Sequence, residues 1–167
     1  MINKKRSGFT LIELLIVIVI LSLMAVVTIV ILNEARARAR DSRRLSDIKQ
    51  LSKTIEMEDA ANPGPLTGCV GGGTDQDVRN CTGPGDIKQF KTRNFTDPLN
   101  SSTICAAGVT QSCQYGIRNA AGTGNPLTNN YEICFFLETP VTGIPNGAGL
   151  KRVVTDGTYA DDCIGSY

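Results

Sequence analysis

Residues 14–33 read LLIVIVILSLMAVVTIVILN, twenty residues without a charge, bounded by Glu13 and Glu34. Only Ser22, Thr28 and Asn33 in this run are polar. As a helix it is about 30 Å long, the thickness of a bilayer's hydrocarbon core, so the run predicts a membrane span. A buried core helix seldom stays apolar on every side for so long, and the apolar part of a cleavable secretory signal is shorter, about 7 to 15 residues. Working outward, no Gly or Pro occurs from Phe9 to Asn62, whereas all 7 Pro and 16 of the 17 Gly lie from Pro63 onward, Gly8 being the exception. That segregation predicts one unbroken helix followed by a turn-rich head.

The near-neutral total of +1 conceals a division of charge. Residues 1–8 carry Lys4, Lys5 and Arg6 against no acid. Residues 33–60 hold seven basic and six acidic side chains, and residues 61–167 hold seven and nine. No segment is an extended polycation, so direct nucleic-acid binding is not indicated. The chain has no His, which excludes imidazole bases, His metal ligands and Ser-His-Asp catalysis.

The positive-inside count does not orient the span, because Lys4, Lys5 and Arg6 face Arg36, Arg38, Arg40, Arg43 and Arg44 across it. The cysteines do. All six (Cys69, Cys81, Cys105, Cys113, Cys134 and Cys163) follow the span, and an even number in a loop-rich region reads as a disulfide framework formed in an oxidising compartment. The N-terminus is therefore expected in the cytoplasm and the head outside. Six cysteines permit 15 pairings. Proximity in sequence favours Cys69 with Cys81 and Cys105 with Cys113, leaving Cys134 with Cys163. A zinc site is the weaker use, with no C-x-x-C pair to build it.

Past the span, Leu45, Ile48, Leu51 and Ile55 form one apolar helical stripe, and Asn62-Pro63-Gly64 ends the helix. Residues 61–95 read mainly as loop. Gln114 to Arg118, Asn130 to Glu138 and Leu150 to Asp156 read as strands of an antiparallel meander covered by that stripe. The fold class is α+β: a long N-terminal helix, its second half packed on a small sheet in a disulfide-stapled head. Arg36, Arg40, Arg43 and Arg44 share a helix face by spacing and offer an anionic-lipid or nucleic-acid contact, but the interleaved Glu34, Asp41 and Asp47 favour a solvated or salt-bridged face.

Glu13 is the one charge in residues 9–32, and a carboxylate at the edge of a span needs neutralising, pairing or a place at the interface. Its company is specific. Lys4-Lys5-Arg6-Ser7-Gly8 followed by Phe9-Thr10-Leu11-Ile12-Glu13-Leu14-Leu15 resembles the class III signal of type IV pilins and type II secretion pseudopilins. The resemblance covers roughly the first thirty residues. It implies a leader at 1–8, a transmembrane and filament-core helix at 9–33, its amphipathic continuation at 34–62 and a globular head at 63–167. It also implies cleavage by a prepilin peptidase between Gly8 and Phe9 and methylation of the new Phe9 amine. Glu13 would then pair with the Phe9 amine of a neighbouring copy as a filament forms. The implied partners are that peptidase, other pilin copies, the pilus or secretion assembly machinery and the bilayer. The implied site is the inner membrane, with the head in a periplasmic or cell-surface filament.

Other candidate sites are weak. Gly71-Gly72-Gly73 lacks the Lys of a phosphate loop. Asp75-x-Asp77 begins like a calcium loop but places Arg79 where an oxygen ligand belongs. Asp97-Pro98 is similar to an Asp-Pro pair that precedes a calcium loop in some major pseudopilins, without the rest of the pattern. No cofactor is expected, and calcium is the one candidate. A non-enzymatic structural subunit is thus the leading reading. Its rivals are a membrane-anchored binding module that never polymerises and a tethered small enzyme, the latter opposed by the missing His.

Overall fold

A computed structural model of the chain describes residues 8–69, 76–90, 95–121 and 124–163. One helix, α1 (Leu11–Ala61), runs for 51 residues. With no Gly or Pro to break it, it stops only where Pro63 biases the preceding residue out of helical geometry. Its last turn closes with Asn62 N donating to Glu58 O at 2.6 Å. The helix starts two residues after Phe9, because Thr10 caps it.

The chain divides into two compact units, with the boundary after Ala37. In the first, every large apolar side chain from Phe9 to Leu32 is at least 46% exposed, so the chain itself provides no cover for them. This portion is long and apolar enough to cross a membrane. The second unit begins at Arg38, so the last two-thirds of the sequence and the helix portion Arg38–Ala61 form one body. Its sheet has the order β1 (Gln76–Asp77), β2 (Gly116–Arg118), β3 (Glu132–Leu137), β4 (Gly149–Val154), β5 (Tyr159–Asp161), with every neighbouring pair antiparallel.

Alternation along the strands sorts the residues. Ile117, Ile133, Phe135, Leu137 and Val153 join Ile48, Leu51 and Ile55 of α1 in the main core, with Leu45 at its margin. Cys134 instead belongs to a second cluster with Cys105, Cys113 and Cys163, flanked by Phe136 and Leu150. Each fully buried Ile or Leu of the helix stripe contributes about 1.5–3 kcal/mol from the apolar area removed from water.

Three expected strands are present, with ends that lie within two residues of the expected bounds, and two more join them. β1 and β5 span two and three residues, too short for an alternating pattern to register. The described residues of 61–95 also hold more than the expected loop: β1 and two 3₁₀ turns, Val78–Asn80 and Gly85–Phe90. Their Val78, Ile87 and Phe90, with Leu66, are buried in the main core. Sparse apolar residues among many turn-formers thus still contribute to the interior. β2 opens with Gly116, where a Cβ would collide with the Cys105 carbonyl, so glycine lets the Cys105 loop lie directly on the strand.

Candidate functional site

The start of α1 is a reciprocal cap. Thr10 N donates to Glu13 Oε2 at 2.9 Å and the Thr10 hydroxyl donates to the same oxygen at 2.7 Å. In return Glu13 N donates to Thr10 Oγ1 at 3.3 Å. This is a capping box, satisfying backbone donors that a helix start leaves without partners. Thr10 gains a role the sequence reading did not assign, although Thr-x-x-Glu ahead of an apolar run is the signature of such a box. Both Thr10 donors meet Oε2, and Oε1 of Glu13 faces no donor among the described residues.

Gly8 and Phe9 precede the cap in non-helical, exposed backbone, with Phe9 86% exposed. A Cβ at Gly8 would meet no described atom within 4 Å, so nothing in the described chain calls for glycine there. The leader charges Lys4, Lys5 and Arg6 lie outside the described residues.

Within the head, the cysteines stand at disulfide distance in three pairs: Cys69 with Cys81, Cys105 with Cys113 and Cys134 with Cys163, at Cα separations of 4.3, 5.0 and 5.9 Å. The first secures the chain after α1 to the turn before Gly85–Phe90. The second closes the loop over β2, and the third fixes the tail to β3.

The arginine row splits. Arg36 and Arg43 are exposed, the latter 4.0 Å from Asp47, but Arg40 and Arg44 turn into the head. Arg44 is fully buried. Its Nε and Nη2 reach Asp97 Oδ2 and Oδ1 at 2.5 and 3.1 Å, and its Nη1 reaches Asp41 Oδ1 at 2.8 Å and Glu138 Oε1 at 2.6 Å. Arg40 grips Glu138 bidentately, at 2.8 and 2.6 Å. Asp41 also accepts from Glu138 N, Thr139 N and the Thr139 hydroxyl. Burial works against the Arg44 charge, yet its bonds to Asp97, Glu138 and Asp41 hold its pKa above the usual arginine range. The Arg40 bonds, opposed by burial and aided by Arg44, pull the Glu138 carboxyl below its ordinary value. The salt-bridged outcome therefore describes Arg40 and Arg44, and beside the foreseen Asp41 their partners include Asp97 and Glu138, which the face count did not foresee.

The calcium candidates have cationic neighbours. Asp97 is occupied by Arg44, and both oxygens of Asp77 accept from the Arg79 guanidinium. Asp75 and Gly71-Gly72-Gly73 lie outside the described residues. Among the described residues no group of three or more His, Cys, Asp or Glu side chains is arranged to hold a metal ion.

Comparison with curated proteins and with solved structures found no match. A family model does match: residues 3–32 fit the prokaryotic N-terminal methylation motif. That match takes in Gly8, Phe9 and the capped apolar start of α1, so the N-terminal segment of this chain carries the prokaryotic N-terminal methylation motif that a class III prepilin signal presents.

Proposed function

We propose that the chain is a non-catalytic structural subunit of a type IV pilus or pilus-like filament, cut by a prepilin peptidase after Gly8 and assembled through its N-terminal helix. The observation that carries this reading is the capped start of α1, set directly after an exposed, non-helical Gly8-Phe9 and within the matched methylation motif. Proteases take substrate in extended form, and a side chain that the chain does not need to omit at Gly8 is one the enzyme's groove would refuse. Cutting there removes the three leader cations and takes the formal charge from +1 to −2 before the new amine is counted. The head lies outside the cytoplasm, where its cysteines can oxidise.

The capping box also supports an assembly role for Glu13. Thr10 occupies Oε2, and Oε1 is left to accept from the methylated Phe9 amine of a neighbouring copy. In a low-dielectric helix bundle such a pair compensates a carboxylate that would otherwise be costly to bury, and it fixes register between subunits. A type II secretion pseudopilin is the second reading, supported by an α1 that lacks any Pro in its apolar half and so has no site for local melting. The guanidinium groups of Arg44 and Arg79 neutralise Asp97 and Asp77, which weighs against calcium at those two carboxylates.

The expected outcome is a mature chain whose first residue is N-methylated Phe9 by mass spectrometry. An intact Met1 would instead point to a plain membrane anchor. Glu13→Ala is expected to leave expression and cleavage intact while abolishing filament incorporation, and wild-type filament yield from that variant would refute the assembly role.

A further inference from the structure

We propose that the buried Arg44 cluster is a mechanical clamp, which holds the head to its helix against tension entering through the N-terminal end of α1. The need for such a clamp rests on the filament reading above; the geometry does not.

Connectivity sets the direction of the load. Any pull on residues 11–37 passes along the helix backbone and reaches the second compact unit at Arg38. Close to that entry, Arg40, Asp41 and Arg44 hydrogen-bond into the head. Further ties come later along the helix: the Tyr115 hydroxyl to Asp47 at 3.0 Å, Ser52 with the Tyr131 hydroxyl at 2.8 Å, Asp86 N to Glu58 at 2.8 Å, the Thr128 hydroxyl to Asp59 at 2.6 Å, and the apolar stripe Ile48, Leu51 and Ile55. The densest polar anchorage thus stands where separation would begin.

It is also divided between two well-held segments. Asp97 is braced by its own N–H, which donates to Gln114 Oε1 at 3.0 Å, and Arg44 Nη2 lies 3.4 Å from the hydroxyl of Ser112, next to Cys113 of the stapled loop. Glu138 and Thr139 directly follow β3, the central strand of the sheet, and Cys134 joins that strand to the tail. Tension leaving the helix is therefore spread over the middle of the sheet and over a disulfide loop.

Equilibrium stability is a poor explanation for this arrangement. Burying a guanidinium among carboxylates costs in desolvation much of what the pairing returns, and apolar side chains of similar size often serve a fold as well. Resistance to pulling is a different quantity, governed by the rate of unfolding under load rather than by the free-energy difference. Bidentate bonds that must break together over a short displacement raise that barrier, while apolar contacts can slide.

The test is force spectroscopy on the full chain in lipid nanodiscs, pulled between handles at its two ends. Arg44→Met is compared with a core variant, Val153→Ala, after denaturant titration has measured the stability lost by each. Per unit of stability lost, Arg44→Met is expected to speed unfolding under load about tenfold more than Val153→Ala, as for a bond that lies on the force path. Equal acceleration, or none in Arg44→Met, would overturn the clamp. If Arg44→Met does not fold, Arg40→Gln, which removes only the half-buried pair with Glu138, is expected to show a smaller excess in the same direction; no excess there overturns the proposal too. The assay needs no polymerisation, so a chain that keeps Met1 would sink the filament reading without touching this result.

Discussion

The two portions of α1 share one backbone and differ in where their side chains find partners. From Leu11 to Leu32 the apolar side chains are exposed on every side, and Ser22 and Thr28 return their hydroxyls to the helix's own carbonyls at Ile18 and Met24. From Arg38 to Ala61 one face is buried and carries Asp41, Arg44, Ile48, Leu51, Ser52, Ile55 and Glu58. The first portion is therefore stable as a helix only through its backbone and whatever covers it from outside. The second owes its place to contacts made by the same chain. Continuous helix does not imply continuous environment, and the change of environment, rather than any break in structure, separates anchor from head.

The largest test of that contrast is a pair of truncations. Leu51→Ala should cost the head about 2–5 kcal/mol, the loss typical of a buried leucine, seen as a lower denaturant midpoint. Val26→Ala should leave the same midpoint within about 0.5 kcal/mol, as for a site outside the cooperative unit. Equal losses would merge the two portions into one folding body. A smaller effect is expected from acid. Glu138 has a folded pKa below its unfolded value, so its contribution is present above the unfolded pKa and is lost as pH falls through the folded one. Thermal melts should show stability declining below about pH 4, and Glu138→Gln should flatten that decline. A melt indifferent to pH across this range would remove Glu138 from the account. The smallest effect belongs to the helix start: Thr10→Ala should cost about 1 kcal/mol of local helix stability, read as faster amide exchange at Leu11 to Glu13, while Thr10→Ser should restore it. Unchanged exchange in the alanine variant would mean that Glu13 is held by something other than Thr10.

Much of this was legible in the order of residues. The absence of Gly and Pro from Phe9 to Asn62 marks α1 nearly to its ends, and the stripe Leu45, Ile48, Leu51, Ile55 identifies the face that packs. Motif spacing singled out Gly8, Phe9 and Glu13, and of these Glu13 is seen engaged with Thr10 in the helix cap. What stayed hidden depends on contacts distant in sequence. Helical spacing places Arg36, Arg40, Arg43 and Arg44 together, yet Arg44 is drawn inward by Asp97 and Glu138, 53 and 94 residues away. β1 and β5 were hidden for a related reason: strands of two and three residues exist through pairing with a longer neighbour, not through a pattern of their own.

Those short strands have a further consequence. They are the two edges of the sheet, and an edge is where one protein can recruit another by adding strand to strand. Two or three residues provide too few backbone groups to template such growth. On the filament reading proposed above, neighbouring copies would thus be protected against sheet-to-sheet aggregation, and self-recognition would be left to the helix.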